Sequence, residues 1–289
     1  MDPLDYCRQK VAPDGSSVYY ALLFAPNEAR AGLTALAAYR AEILEIPREV
    51  SEAGVGAVKL TWWQEELARL QNGAPRHPVT QALLPSAQSH GLNLEGLGEV
   101  IEAARMDLEY GRYPTLRELT LYCHRAGGAI ADLAWRLTGA RGDEVAPFAH
   151  DLSMGLELTR MIRHVRRDVR AGRVYIPEDE LTLAGLDTET LLDEHPSQAR
   201  QELMERQGAR ARRFLDSAIA QLPGDARRGQ THGLVLAVLY RRLLDTLAHE
   251  GYPVVAREHH LTPLRKFWLA WRTARRPGAV KPGPGEIPK

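Results

Sequence analysis

Cysteine is nearly absent from this chain. Cys7 and Cys123 are the only two in 289 residues, and their spacing makes neither a CxxC pair nor a disulfide framework, which fits a reducing compartment. Excess charge is missing too: 37 Lys and Arg balance 37 Asp and Glu, so the chain lacks the basic footprint of a general nucleic-acid binder. Nor is there a long hydrophobic run. The longest, Gly233-Leu-Val-Leu-Ala-Val-Leu-Tyr240, is far short of the ~20 residues that span a bilayer. Met1-Asp-Pro-Leu-Asp5 has no basic n-region or apolar core, and a soluble, cytoplasmic protein is expected. No HExxH, Gly-rich phosphate loop or Ser-His-Asp order occurs, and His77, His90, His259 and His260 lack paired ligand spacing. Zinc, hydrolytic and nucleotide-binding chemistries therefore find little support.

Helical period is abundant. Leu33, Leu36, Ala37, Tyr39 and Ile43 form one such series, and Leu234, Val235, Val238, Leu243 and Leu247 another, while strand-like alternation is scarce. Turn signals at Asn72-Gly73, Pro75 with Pro78, Gly139 to Asp143, Pro177, Gly185, His195-Pro-Ser, Pro223-Gly-Asp and Gly251-Tyr-Pro divide the chain into roughly eight to ten helices. No internal Pro/Gly/Ser-rich linker splits it, so a single all-α domain is expected over residues 1–275. Residues 276–289, rich in Pro and Gly without apolar period, are expected to be a disordered tail.

The most informative stretch is Met154-Gly-Leu-Glu-Leu-Thr-Arg-Met-Ile-Arg-His-Val-Arg-Arg-Asp-Val-Arg-Ala-Gly-Arg-Val-Tyr-Ile-Pro177. On a helix, Glu157, Arg160, His164 and Asp168 recur every three or four residues and share one face, polar where a packing face would be apolar. The frame of Gly155, Arg163, Asp168, Gly172, Arg173, Tyr175 and Pro177 resembles the second aspartate-rich motif of the squalene/phytoene synthase family. Ser16 to Pro26, Lys59 to Leu67, His77 to Thr80 and Met106 to Gly127 look like further landmarks in the same order. The resemblance runs over roughly residues 1–275 and points toward the presqualene diphosphate synthase branch. It implies an isoprenoid-synthase-like helical bundle around a central cavity.

In that family two facing helices carry aspartates that bind Mg²⁺ against the diphosphates of prenyl substrates, because a departing diphosphate develops negative charge that hard oxygen-ligated cations offset. Set against the family's first motif, Ala38 to Glu49 places Ala41 at the arginine, Leu44 and Glu45 at the paired aspartates, and Arg48 at the last one. In the second motif Glu157 stands for the Gln, Arg160 for the Asn and His164 for the first Asp. Three readings stay open. Arg48, Arg160 and Arg163 offer forked donors that would hold a diphosphate without metal, since a guanidinium is charged at any relevant pH. Alternatively, Glu45 with Arg160 and Arg48 with Asp168 form salt bridges across a shrunken cavity, because unpaired buried charges are costly. Or Mg²⁺ is retained through Glu45, Glu49 and Asp168, and the chain joins prenyl diphosphates head to head.

Ser16 and Ser17 match a loop near one diphosphate in the family but equally read as a helix N-cap. Tyr122 and Tyr175 match cavity tyrosines, or are buried tyrosines with bonded hydroxyls. At the C-terminal end Leu264, Phe267, Trp268 and Trp271 share a helix face bordered by Arg265, Lys266, Arg272, Arg275 and Arg276. This composition suits a membrane interface or a docked terminal helix with snorkelling cations. The expectation is a divergent, polyprenyl-diphosphate-binding or non-catalytic protein, comparable with the respiratory complex I assembly factors that resemble this family. The alternatives are an active Mg²⁺-dependent transferase or a membrane-associated scaffold at the inner face of the membrane. No protein partner is specified.

Overall fold

A computed structural model describes residues 1–50, 52–139, 143–193, 195, 197–254 and 259–283. Among the described residues there are fifteen α-helices and no strand, only an isolated bridge between Arg112 and Val174. The all-α expectation holds, but eight to ten helices was an undercount. Brief helices such as α10 (Val165–Arg170), α11 (Glu178–Leu183) and α12 (Thr188–Leu192) are too short to show a period in the sequence.

Local chemistry sets many of the boundaries. Asp2 caps α1 (Pro3–Val11), with Pro3 at its first position, and Ser16 caps α2 (Ser17–Leu23). A Thr115–Glu118 capping box opens α7 (Leu116–Cys123). The core is built on α3 (Asn27–Glu49), whose buried face of Leu33, Leu36, Tyr39 and Ile43 packs on α1, α5 (Pro78–His90), α6 (Gly98–Glu109) and α8 (Ala129–Leu137). Opposite stands α9 (Ala146–Arg163), lying along α13 (Gln198–Gln221). Gly155 permits that approach: a Cβ there would meet Leu215 Cγ at 2.6 Å and its backbone N at 3.1 Å. From α7 the chain passes through a π-turn at His124–Gly128 into α8. Then α14 (Thr231–His249) and α15 (Pro263–Arg275) close the side next to α2.

Two expectations change. The polar stripe is not one helix, because α9 ends at Arg163 and His164 (φ −109°, ψ 17°) breaks it from α10. The C-terminal segment differs from a disordered tail as far as residue 283. Arg227 donates to the carbonyls of Pro277 and Val280, Arg241 to that of Lys281, and Gly283 N–H reaches Asp216 Oδ1 at 2.8 Å. Backbone groups bonded by arginines explain how a segment without apolar period can still be fixed. Residues 284–289 lie outside the described residues.

Candidate functional site

Between α3 and α9 lies a half-open cavity of about 390 Å³. Its walls are apolar and small: Val18 and Leu22 from α2, Leu36 and Ala37 from α3, Ile130, Ala131 and Ala134 from α8, Leu152 and Leu156 from α9, and Leu236 from α14. Gly127 contributes room, since a Cβ would stand 3.3 Å from Glu157 Cγ. Lys10, Arg40, Glu157, Arg160 and Tyr240 supply polar groups to the same lining.

Glu157 is the hub of those charges. Its buried carboxylate accepts from Arg40 Nη2 and, at 3.1 Å, from Arg160 Nε. Burial would raise its pKa, but Arg40 and Arg160 outweigh that and hold it below the ordinary carboxylate range. Arg40 also donates to Ala126 O at 2.9 Å, tying α3 to the π-turn. Arg160 Nη1 bonds Asp168 Oδ2 at 3.3 Å, and its guanidinium lies 5.0 Å from the Tyr175 ring centroid. Behind it the buried Asp107 accepts from Tyr113 and Tyr122 at 3.0 Å and from Tyr175 at 2.6 Å. Burial nonetheless keeps the Asp107 pKa above its ordinary value, against these three donors and Arg160.

Donors are also plentiful nearby. Among the described residues, Arg48 Nε, Arg160 Nη2 and Arg163 Nε are buried with no acceptor, and of these Arg160 lines the cavity. His164 sits in the same field: burial, then Arg167, Arg163, Arg160 and Arg48, press its pKa down to about 2. It is therefore neutral and adds no charge to the group. Arg163 Nη2 lies 2.9 Å from His260 Nδ1, and Arg167 bonds Asp168 at 3.0 Å.

The expected residues come together only in part. Glu157, Arg160, His164, Asp168 and Tyr175 do share one region, with Tyr122 behind them, despite the break at His164. The pairs Glu45–Arg160 and Arg48–Asp168 do not form. Lys10 on α1 takes Glu45 at 2.6 Å and Glu42 at 3.3 Å, Asp168 is held by Arg160 and Arg167, and among the described residues Arg48 makes no ion pair. Glu49 is exposed and faces Lys59 at 3.7 Å. Ser16 Oγ accepts from Tyr19 N at 3.0 Å as the N-cap of α2, and Ser17 opens the helix, half-buried.

Magnesium does not fit the side chains present. Glu45, Glu49 and Asp168 are each bound to different cations, and among the described residues no three of His, Cys, Asp or Glu converge on a metal position.

Residues that sequence reasoning missed are Lys10, Arg40, Asp107, Tyr113 and Tyr240. Arg40, next to the Ala41 set at the family's arginine, is the residue that bridges the cavity to Glu157 and Ala126 O. Asp107 lay inside the Met106 landmark without a role. Nothing in the sequence marks Lys10.

Comparison with known proteins gives one consistent relationship. The squalene/phytoene synthase family pattern matches residues 11–268. A phytoene synthase of Arthrospira platensis is 28% identical over 282 residues, covering 92% of this chain and 90% of that protein. A 15-cis-phytoene synthase of Synechococcus elongatus is 27% identical over 276 residues, covering 90% and 89%. Among solved structures, a dehydrosqualene synthase bound to a ligand aligns with a TM-score of 0.82 at 20% identity over 96% of this chain and 97% of that one. A squalene synthase from Alicyclobacillus acidocaldarius aligns at 0.73 and 21%, over 86% and 94%. At these identities the structures establish the fold.

Proposed function

We propose that this chain, which belongs to the squalene/phytoene synthase family, binds one prenyl diphosphate through arginines and does not join two of them. The observation that carries this reading is Arg160, which lines the apolar cavity with a buried Nη2 that has no acceptor among the described residues, while Arg48 and Arg163, outside the lining itself, each keep a buried Nε of the same kind. A buried donor left unbonded costs free energy, and a diphosphate offers several acceptors with the charge a guanidinium prefers. Glu157 is a built-in competitor that holds Arg40 and Arg160 in place while the site is empty.

Capacity supports a single chain. A dry cavity of 150 Å³ takes benzene, or about 25 Å³ per carbon, so about 390 Å³ suits roughly fifteen carbons. Two such chains would need about twice that volume by the same measure. The carboxylates also argue against head-to-head chemistry. At the positions set against the paired aspartates, Leu44 is buried in the core and Glu45 is bound to Lys10, while Asp168 is held by Arg160 and Arg167. Both aspartate-rich motifs are read as eroded on this basis. A role as a non-catalytic lipid-binding or assembly protein follows, at a membrane surface where such lipids reside. No described helix is long and apolar enough to cross a membrane.

Calorimetry with farnesyl diphosphate, with and without Mg²⁺, tests the proposal. One ligand per chain should bind equally well in EDTA, with no presqualene diphosphate, squalene or phytoene formed. Mg²⁺-dependent product from farnesyl or geranylgeranyl diphosphate would instead establish the transferase alternative.

A further inference from the structure

Helix α15 presents small residues to the protein and large ones to the outside. Ala270 and Thr273 are its buried residues, and Ala270 packs in a cluster with Tyr20, Val235 and Leu239. Outward, Leu264 is 83% exposed, Phe267 45%, Trp268 50% and Trp271 40%. Arginines interleave with these side chains. Arg272 lies 5.3 Å from the Trp268 ring centroid and Arg275 lies 5.2 Å from that of Trp271. Between Pro263 and Arg275 there is no acid. Lys266 is not part of this face: half-buried, it donates to Gly15 O at 2.9 Å and fastens the helix to the loop before α2.

Beside the helix, α14, α15 and residues 279–281 enclose a second cavity of about 290 Å³, edged by five cations against Asp245. Two are committed, Arg241 to Asp216 at 3.1 Å and Arg242 to Asp245 at 3.6 Å. Arg272, Arg276 and Lys281 have no carboxylate partner among the described residues. Arg272, which lines this cavity and lies over the Trp268 ring, thus links the unpaired cations to the exposed aromatics.

We propose that this surface docks on an anionic lipid bilayer, with Leu264, Trp268 and Trp271 entering the headgroup boundary and Arg272, Arg276 and Lys281 taking up lipid phosphate in the cavity beside them. A protein partner would want charge depleted from the centre of its interface, whereas arginines interleaved with Trp and Leu are the composition of an interfacial helix. Attraction to anionic lipid accumulates with each basic residue and reaches only about a Debye length. The position is useful as well. α2 is the wall between the two sites: Val18 and Leu22 line the prenyl-sized cavity, while Tyr20 and Phe24 lie 6.2 and 6.3 Å from Phe267. The surface stands on its own geometry and survives even if the cavity binds nothing.

Vesicle flotation of the full chain tests it, with phosphatidylcholine alone and with one-third phosphatidylglycerol. Binding is expected to the anionic vesicles only, and to fall as salt rises. Trp268→Ser with Trp271→Ser should weaken it at least tenfold, and Arg272→Gln with Arg276→Gln should weaken it about as much. Circular dichroism and farnesyl diphosphate binding should stay at parental values. If the tryptophan pair unfolds, Leu264→Ser, at the most exposed position, replaces it and should still weaken binding several-fold. Equal affinity for both vesicle types, or no binding to either, overturns the proposal. So does displacement by millimolar glycerol phosphate, which would mark a soluble phosphate site, or a dimer that the tryptophan variants dissolve, which would mark the face as a contact between copies.

Discussion

Replacing Glu157 with Gln should move stability and ligand affinity in opposite directions. The carboxylate is buried between Arg40 and Arg160, and breaking a buried pair from one side costs about 3–5 kcal/mol. Arg160 keeps Asp168 at 3.3 Å and Arg40 keeps Ala126 O, so the low end, about 3 kcal/mol, applies. For a chain of this length roughly 2–3 °C per kcal/mol gives a fall of about 6–9 °C in Tm. Binding should gain for the same reason. A negative charge ~6 Å from a bound diphosphate opposes it by about 3 kcal/mol at an effective dielectric near 20. Solvent in the half-open cavity reduces that to about 1–2 kcal/mol, still roughly tenfold in affinity. Thermal denaturation without ligand and calorimetry with inorganic pyrophosphate in EDTA read the two quantities. A lower Tm with unchanged pyrophosphate affinity would refute the idea that the arginines held by Glu157 are the anion site. An unchanged Tm would refute the ion pair itself.

Acid should unfold the protein partly through His164. Its folded pKa, about 2, lies below the ordinary 6.5, so the unfolded chain binds the extra proton and stability is lost as pH falls below about 6.5, by at most about 1.4 kcal/mol per pH unit. His164→Gln should flatten the Tm profile between pH 6 and pH 4, and an unchanged slope would place the titration elsewhere. Below the ordinary Glu range the depressed Glu157 adds a loss of its own, since its stabilisation is present above that range and disappears as pH drops through its folded pKa. Arg48 makes no ion pair among the described residues, so Arg48→Ala should change stability by less than about 1 kcal/mol while weakening pyrophosphate binding several-fold. A loss near 3 kcal/mol in unfolding experiments would restore a buried partner to it. Filling the cavity with Ala134→Phe should shift preference from farnesyl to geranyl diphosphate, and an unaltered ranking would move the prenyl chain out of this cavity.

The helical class and the start of α2 were readable because they depend on neighbours: Ser16 caps α2, and apolar residues repeat at the helix period along α3 and α14. The cluster of Glu157, Arg160 and Asp168 was readable on the same ground, being spaced by turns of one stretch, and it survives the break at His164. Which charge meets which was not readable. Arg40 and Glu157 are 117 residues apart in sequence, and Lys10 takes Glu45 because α1 docks on α3. A formal charge in the sequence carries no partner; only the packing of distant helices brings one within the few ångströms where Coulomb energy decides. Burial first, and then arginines from both α3 and the α9–α10 segment, keep His164 neutral, and only the packed helices supply either. The outward tryptophans of α15 follow from the same cause, since the sequence could place them on one helix face but only docking through Ala270 and Thr273 determined that this face looks away from the protein.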